Sequence, residues 1–312
     1  MMPPQPPNLL DRYTYFANFN KSLLDHLDIL LEHLDQKGVR VLLLKGMDFL
    51  TRGSGPLGTR PSNDIDLLIR EKDLPVIDAI ADQLGYQPMR NGNPSYLSRD
   101  QSIALDLSTS IWYLDSIVPL WERAQMRPFR NRTAWVLGPE DSLVFLCAYT
   151  VIYRGYFLPP FIQDLRDLLR EKDLNWNFVF EEAARHSLKP ALYHALTYGL
   201  SIQPLNIPEA MIEKLRPRSR PEKFQTFLFK RLVTEKRIRG LGHFLLFVTR
   251  NRRGRWQELR KSFFPEETFI EYRYGRLTKN KRLRERLLRP VHMLIQAILL
   301  TGRILLRLFK IG

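Results

Sequence analysis

Cysteine is almost missing from this 312-residue chain: Cys147 is the only one. A single thiol makes no intrachain disulfide and no thiolate zinc cluster, and it suits a reducing compartment. No stretch reaches the roughly 18 uninterrupted apolar residues of a membrane-spanning helix. The opening MMPPQPPN has no apolar core, which argues against a secretory leader, so a cytoplasmic location is expected. The six histidines are scattered without metal-ligand spacing. There is no Gly-Lys-Ser/Thr phosphate loop and no His-Glu-x-x-His pair. Aspartate is missing from residues 209–312, which carry 27 Lys/Arg against 9 Glu.

That last absence changes the meaning of the net charge of +15. Residues 1–208 hold 21 Lys/Arg and 24 Asp/Glu, so a near-neutral body carries a separate basic third. With 44% hydrophobic residues the body has material for one large or two modest cores, which excludes a disordered chain.

Apolar residues at helical spacing (Phe19, Leu23, Leu27, Leu30, Leu31, Leu34) predict a helix over 17–36, stopped at Gly38. The short apolar run 39–44 reads as a buried strand, followed after Lys45-Gly46 by a brief segment and a Gly/Pro-rich loop over 53–61. Residues 64–69 read as the next strand and 72–84 as a helix closing at Gly85-Tyr86. Tyr96-Leu97 and 102–107, on either side of Arg99-Asp100, read as a hairpin. From Pro139 the period is helical, over 140–153, 160–171, 176–186 and 189–199. The expected organisation is an N-terminal helix with a Pro-rich start (1–36), an α/β unit with a mixed sheet (37–138), a helical domain (139–208) and a basic helical region (209–312).

Asp64 and Asp66 are two apart in a strand, so both leave one face while Ile65 and Leu67 enter the core. Adjacent carboxylates repel, and an oxygen-only set favours a hard ion such as Mg²⁺. A third acid, Asp106, lies among apolar neighbours in Ile103-Ala104-Leu105-Asp106-Leu107. If its strand lies beside the first, three carboxylates share one surface, the arrangement used for in-line displacement at phosphorus.

Several motifs together carry a resemblance: Leu44-Lys45-Gly46; Arg60 four residues before Asp64-Ile65-Asp66; Leu84-Gly85-Tyr86; Leu105-Asp106-Leu107; and, further on, Pro139-Glu140-Asp141, Asp164-Leu165-Arg166-Asp167 and Asn175-Trp176. Over roughly residues 37–200 the chain resembles a bacterial nucleotidyltransferase family of the DNA polymerase beta-like superfamily. The resemblance implies an α/β (α+β) fold with a mixed sheet and flanking helices, plus an all-helical second domain. It implies transfer of a nucleoside monophosphate from a nucleoside triphosphate such as ATP to an acceptor hydroxyl, with Mg²⁺ or Mn²⁺ as cofactor. Asp64, Asp66 and Asp106 match the superfamily's metal-binding and catalytic acids. Lys45 and Gly46 stand at its phosphate turn, and Arg60 falls near the same phosphates. In that family a His often follows the third acid by two residues; here the position is Ser108. That departure keeps open a nucleotide-binding protein of weak or absent turnover.

Other signals carry less. Gly53, Gly55 and Gly58 match a dinucleotide fingerprint in letters only, because a proline lies inside and a strand, not a helix, follows. Cys147 reads as a core residue. Asp164 and Asp167, with Arg166 and Arg170, read as a surface or interdomain salt-bridge set. The basic third interleaves cations with aromatics, including Phe224, Phe227, Trp256, Phe263, Phe264, Tyr272 and Tyr274, a pattern compatible with RNA or anionic lipid. At its end a narrow polar stripe (His292, Gln296, Arg303, Arg307, Lys310) opposes a broad apolar face, so residues 279–312 are expected on an anionic membrane surface, peripheral on its inner face, ahead of burial in an oligomer and of nucleic acid. A scaffold acting through this region is the remaining alternative.

Overall fold

The structure is a computed structural model that describes residues 8–53, 55–89, 95–170, 174–249 and 279–309. The proline-rich start, the stretch 250–278 with Trp256, Phe263, Phe264, Tyr272 and Tyr274, and Lys310 lie outside the described residues. The chain divides into two compact units, Met1–Gly138 and Pro139–Gly312.

In the first unit α1 (Leu9–Gln36) begins two turns before the apolar periodicity does. Asn8 explains the early start: its side chain caps the helix by accepting from the Asp11 N–H at 2.8 Å, and Asp11 suits the positive end of the helix dipole. Leu23, Leu27, Leu30, Leu31 and Leu34 form its buried stripe. The chain then enters a seven-stranded mixed sheet: β1 (Leu42–Leu43), β2 (Asp64–Leu68), β3 (Tyr86–Pro88), β4 (Tyr96–Ser98), β5 (Ala104–Ser108), β6 (Gln125–Phe129) and β7 (Arg132–Val136), in the order β3-β4-β5-β2-β1-β7-β6. β1 is shorter than the apolar run 39–44 predicted. Val39 and Val41 are buried outside the ladder, and Leu44 still donates its N–H to Asp66 O at 3.0 Å.

Helices α2 (Lys45–Thr51), α3 (Leu74–Gln83) and α4 (Val118–Glu122) complete the unit. α3 stands between β2 and β5 in sequence and permits their parallel pairing, as a crossover must. The hairpin of β4 and β5 is antiparallel, as the sequence predicts. The β6–β7 hairpin was not legible, because Pro128 argues against a strand; β6 tolerates it as an edge strand bonded to β7 alone. Arg132 Nε donates to Asp28 Oδ1 at 2.5 Å and Arg130 reaches Asp25 and Asp28, tying this hairpin to α1. Burial tends to raise the Asp28 pKa, but the two guanidiniums outweigh it and hold the carboxyl below its ordinary range.

The second unit is helical among its described residues: α5 (Pro139–Ala148), α6 (Pro160–Leu169), α7 (Trp176–Arg185), α8 (Lys189–Ile202), α9 (Glu209–Leu215), α10 (Arg220–Leu232), α11 (Leu241–Thr249) and α12 (Lys279–Phe309). α5 continues as one π-helical turn, Tyr149–Arg154, closed by Gly155 in the left-handed region at φ 75°. Gly155 packs against Leu241 and Gly242 of α11, where a Cβ would find Leu241 atoms at 3.2 Å. Ala191, Leu192, Ala195 and Leu196 bring α8 to the centre of this core. Ser219 and Glu222 close a reciprocal capping box at the start of α10. Cys147 is fully buried, and burial pushes its thiol up, as a core residue requires. Asp164 and Asp167, expected in a surface or interdomain salt-bridge set, are both buried, and Arg170 stands 3.9 Å from Asp167 as an ion-pair partner. The helix turns inward the face that carries them together with Leu165 and Leu168, so the charged pair is carried in by its apolar neighbours.

Candidate active site

Parallel pairing of β2 with β5 puts Asp64 opposite Ala104, Asp66 opposite Asp106 and Leu68 opposite Ser108. Direct partners in a sheet share a face, so Asp66 and Asp106 stand side by side, with Asp64 two residues along the same face. Ile65, Leu67 and Leu105 fill the opposite face and are buried in the core of the unit. The apolar flanks therefore do what the alternation predicts: they clamp the strand pair so that the acids leave toward one side. Asp66 is buried, while Asp64 and Asp106 are half-buried.

The electrostatics follow from this adjacency. Burial and then the neighbouring Asp66 charge push the Asp106 carboxyl above the ordinary aspartate range, with the Lys45 ammonium and Ser95 pulling the other way. Ser95 Oγ lies 3.4 Å from Asp106 Oδ1 and accepts from the Leu107 N–H at 3.0 Å, so it is held by the strand whose acid it touches. Sequence reasoning missed Ser95, because a lone serine before a strand carries no signal.

Lys45 closes the other side. Leu44 is pinned by its N–H to the Asp66 carbonyl, and the next residue, the first of α2, turns into the left-handed region at φ 48°. The Lys45 ammonium then donates to Asp66 Oδ1 at 2.6 Å. A lysine at positive φ costs of order 1–3 kcal/mol, a cost found mostly where a side chain must be aimed.

Gly46 explains the loop between α2 and β2. A Cβ there would lie 2.4 Å from Ser62 Oγ and 3.4 Å from a terminal nitrogen of Arg60. Arg60 donates to Ser62 Oγ at 2.8 Å, stacks over Phe49 at 5.2 Å and is buried. The loop is held from beneath by the fully buried Asn20, whose Nδ2 donates to Leu57 O at 2.6 Å and Arg60 O at 2.7 Å. α2 itself is anchored by Asp48, which accepts from Arg52 at 3.2 Å and from Arg127 of β6 at 2.8 Å. Of the six residues predicted from sequence, Lys45 touches Asp66, Asp106 is its cross-strand partner, and Gly46 meets Arg60. Asp64 lies on the acid-bearing face of β2.

Whether these residues suit a divalent cation can be judged from the donors. Among the described residues no group of three or more His, Cys, Asp or Glu side chains is gathered closely enough to hold a metal ion by itself. Mg²⁺ rarely needs such a cage: it keeps waters and binds through one or two carboxylates together with substrate phosphates. Two paired carboxylates, one with its pKa raised by burial and then by the other, next to a lysine that already supplies positive charge, fit an ion of that kind.

A mixed α/β sheet bearing paired acids on adjacent parallel strands, with a glycine-containing segment beside them, fits a nucleotidyltransferase fold with added helical regions. The chain belongs to a family described as uncharacterised nucleotidyltransferases, whose profile matches residues 2–199. Comparison with curated proteins and with solved structures found no match.

Proposed function

We propose that this protein moves a nucleoside monophosphate from a nucleoside triphosphate to an acceptor hydroxyl in a divalent-cation-dependent displacement. The acceptor oxygen bonds to the α-phosphorus, the bond from that phosphorus to the bridging oxygen of the β-phosphate breaks, and pyrophosphate leaves. The observation that carries this reading is the direct pairing of Asp66 with Asp106 beside the Lys45 ammonium.

Asp66 and Asp106 would hold Mg²⁺ or Mn²⁺ together with the triphosphate, with Asp64 two residues along the same face as the third acid of the set. The bound ion supplies charge neutralisation on the triphosphate and fixes the line of attack. Asp106 is the group to accept the proton of the acceptor hydroxyl at its carboxylate, since its raised pKa brings its basicity nearer to the working pH. Lys45 is able to trade its contact with Asp66 for a phosphate oxygen, a short reorientation for a flexible stem. Gly46, having no Cβ, lets Ser62 and Arg60 close directly onto its backbone, which brings the Arg60 guanidinium to the segment where the phosphates would lie. Catalysis of this type is positioning and electrostatic stabilisation with little covalent chemistry for the protein to do.

The test is pyrophosphate release from each of the four triphosphates with Mg²⁺ and a panel of hydroxyl acceptors. Release by the parent chain that disappears in Asp66→Asn together with Asp106→Asn supports the reading, and release that survives the double change removes it. Mg²⁺-dependent nucleotide binding without any release would favour the weak-turnover alternative that Ser108 keeps open.

A further inference from the structure

Helix α12 is turned the opposite way from what its polar stripe suggests. Arg303 donates to Arg239 O at 3.4 Å and Arg307 to Thr234 Oγ1 at 2.8 Å, so both cations are bonded to the body of their own unit. Between them Ile304 is 6% exposed, and Leu300 lies against Gly240. The opposite side of the helix, over residues 288–309, presents Leu294, Ile295, Ile298, Leu299, Leu305 and Leu306 to solvent, ending at Phe309, which is 75% exposed. At 100° per residue these fall within an arc of about 140° that contains no charged residue after Arg289. A contiguous apolar face of this extent on a packed helix marks an interaction surface.

Charge identifies the partner. The first three turns of α12 read Lys279, Lys281, Arg282, Arg284, Arg286 and Arg289 against a single Glu285. α10, on which α12 packs, exposes Lys223, Lys230 and Arg231 with Phe224 and Phe227 between them. A second copy of the helix would bring these cations to a surface with almost no acid to meet them, whereas an anionic leaflet offers both an apolar interior and negative headgroups. The helix is about 46 Å long at 1.5 Å per residue, enough to lie along a bilayer surface. Among the described residues no helix is long and apolar enough to cross one.

We propose that the outer face of α12 seats this protein on an anionic lipid bilayer, with the inner face, through Ile304, Arg303 and Arg307, fastening the helix to its own unit. The proposal is independent of the transfer reaction, since it uses none of the residues of the candidate active site.

The experiment is flotation of the full chain with vesicles of mixed phosphatidylglycerol and phosphatidylcholine, and with phosphatidylcholine alone. Ile298→Asn together with Leu306→Asn is the variant, chosen because both side chains are exposed and their replacement leaves the packed core untouched. The parent is expected to float with the anionic vesicles, to bind the neutral ones far more weakly and to be released by high salt. The variant, with an unchanged thermal unfolding profile, is expected to lose about tenfold or more in vesicle affinity, from the transfer free energy of two aliphatic side chains. Failure of the parent to float with anionic vesicles would overturn the proposal, as would equal flotation of the variant. A parent that sediments as a dimer, split by the same two changes, would assign the face to a second copy instead.

Discussion

Asp66 is the direct cross-strand partner of Asp106 on a parallel pair of strands, and the Lys45 ammonium lies 2.6 Å from the first of the two carboxylates. Parallel partners on one face hold their side chains close whatever their charge. The fold therefore forces two acids together and offers one lysine in partial compensation. What each of the three does to the others can be measured.

The Asp106 carboxyl is held high by burial and by Asp66. Asp66→Asn removes the second cause, so the Asp106 carboxyl is expected to titrate at a lower pH in the variant, read by carbon NMR of the metal-free protein. The sign for stability follows. An acid whose folded pKa is raised binds its proton more readily folded than unfolded, so its contribution is present below the unfolded value near 4 and fades as pH rises through the folded one. Asp106→Asn is expected to flatten that part of the stability profile. An unmoved Asp106 titration in the Asp66 variant would show that the two charges do not interact.

Lys45→Ala takes away the ammonium beside the buried Asp66. Removing one member of a pair that is only partly shielded leaves the other carboxylate undercompensated, at a cost of about 1–3 kcal/mol, while the strain of the positive φ stays because alanine retains the Cβ. Chemical denaturation without divalent ions should register this loss, and Mg²⁺ should recover more stability for the variant than for the parent. Equal Mg²⁺ stabilisation of both proteins would mean that lysine and cation do not share the carboxylate.

Gly46→Ala places a methyl group where Ser62 Oγ now lies. Ser62 has to rotate and release Arg60, so nucleotide affinity is expected to fall by about tenfold if the proposed site is correct in placing Arg60 near the phosphates, while the melting temperature changes little because the displaced groups are polar and outside the apolar core cluster. Ser62→Gly, by making room, should restore part of the affinity in the Gly46→Ala background. A double variant no better than the single one would place the defect elsewhere.

His194 supplies the acid-sensitive element of the second unit. Burial lowers its pKa to about 4, aided by Lys230, while its Nε2–H donates to the Val233 carbonyl at 3.2 Å. A histidine whose folded pKa is depressed contributes its full stability above the unfolded value of about 6.5. The contribution is lost as pH falls toward 4, by at most about 3 kcal/mol. Urea unfolding of the parent between pH 7 and 4 is expected to show that decline, and His194→Gln to reduce its slope. An identical slope in the two proteins would exclude His194 as its source.

Much of this molecule could be read from local pattern. Period-2 alternation around Asp64 and Asp66 placed the acids on one face of a strand, and the helical periods after Pro139 placed the second region's elements, because both depend on which side chains must leave water along a short stretch. The leucine stripe of α1 was equally legible, though not the Asn8 cap that lengthens the helix. Pro128 concealed the β6–β7 hairpin, since a proline is compatible with a strand only when the strand is at an edge, and edges are a property of the whole sheet.

Tertiary structure decided the rest, by bringing together groups that no spacing links. The sequence alone held the acids, the lysine and the glycine, and with them the class of chemistry. Only the β2–β5 register set Asp66 against Asp106, and only the bond from Leu44 N–H to Asp66 O aimed Lys45 at that carboxylate. In the same way the composition of α12 contained both a cationic stripe and an apolar face, but which of them turns to the protein depended on the hydrogen bonds to Arg239 and Thr234 and on the burial of Ile304. A helical wheel ranks faces by polarity. Packing ranks them by the partners available, and here the Arg239 carbonyl and the Thr234 hydroxyl took the arginine side.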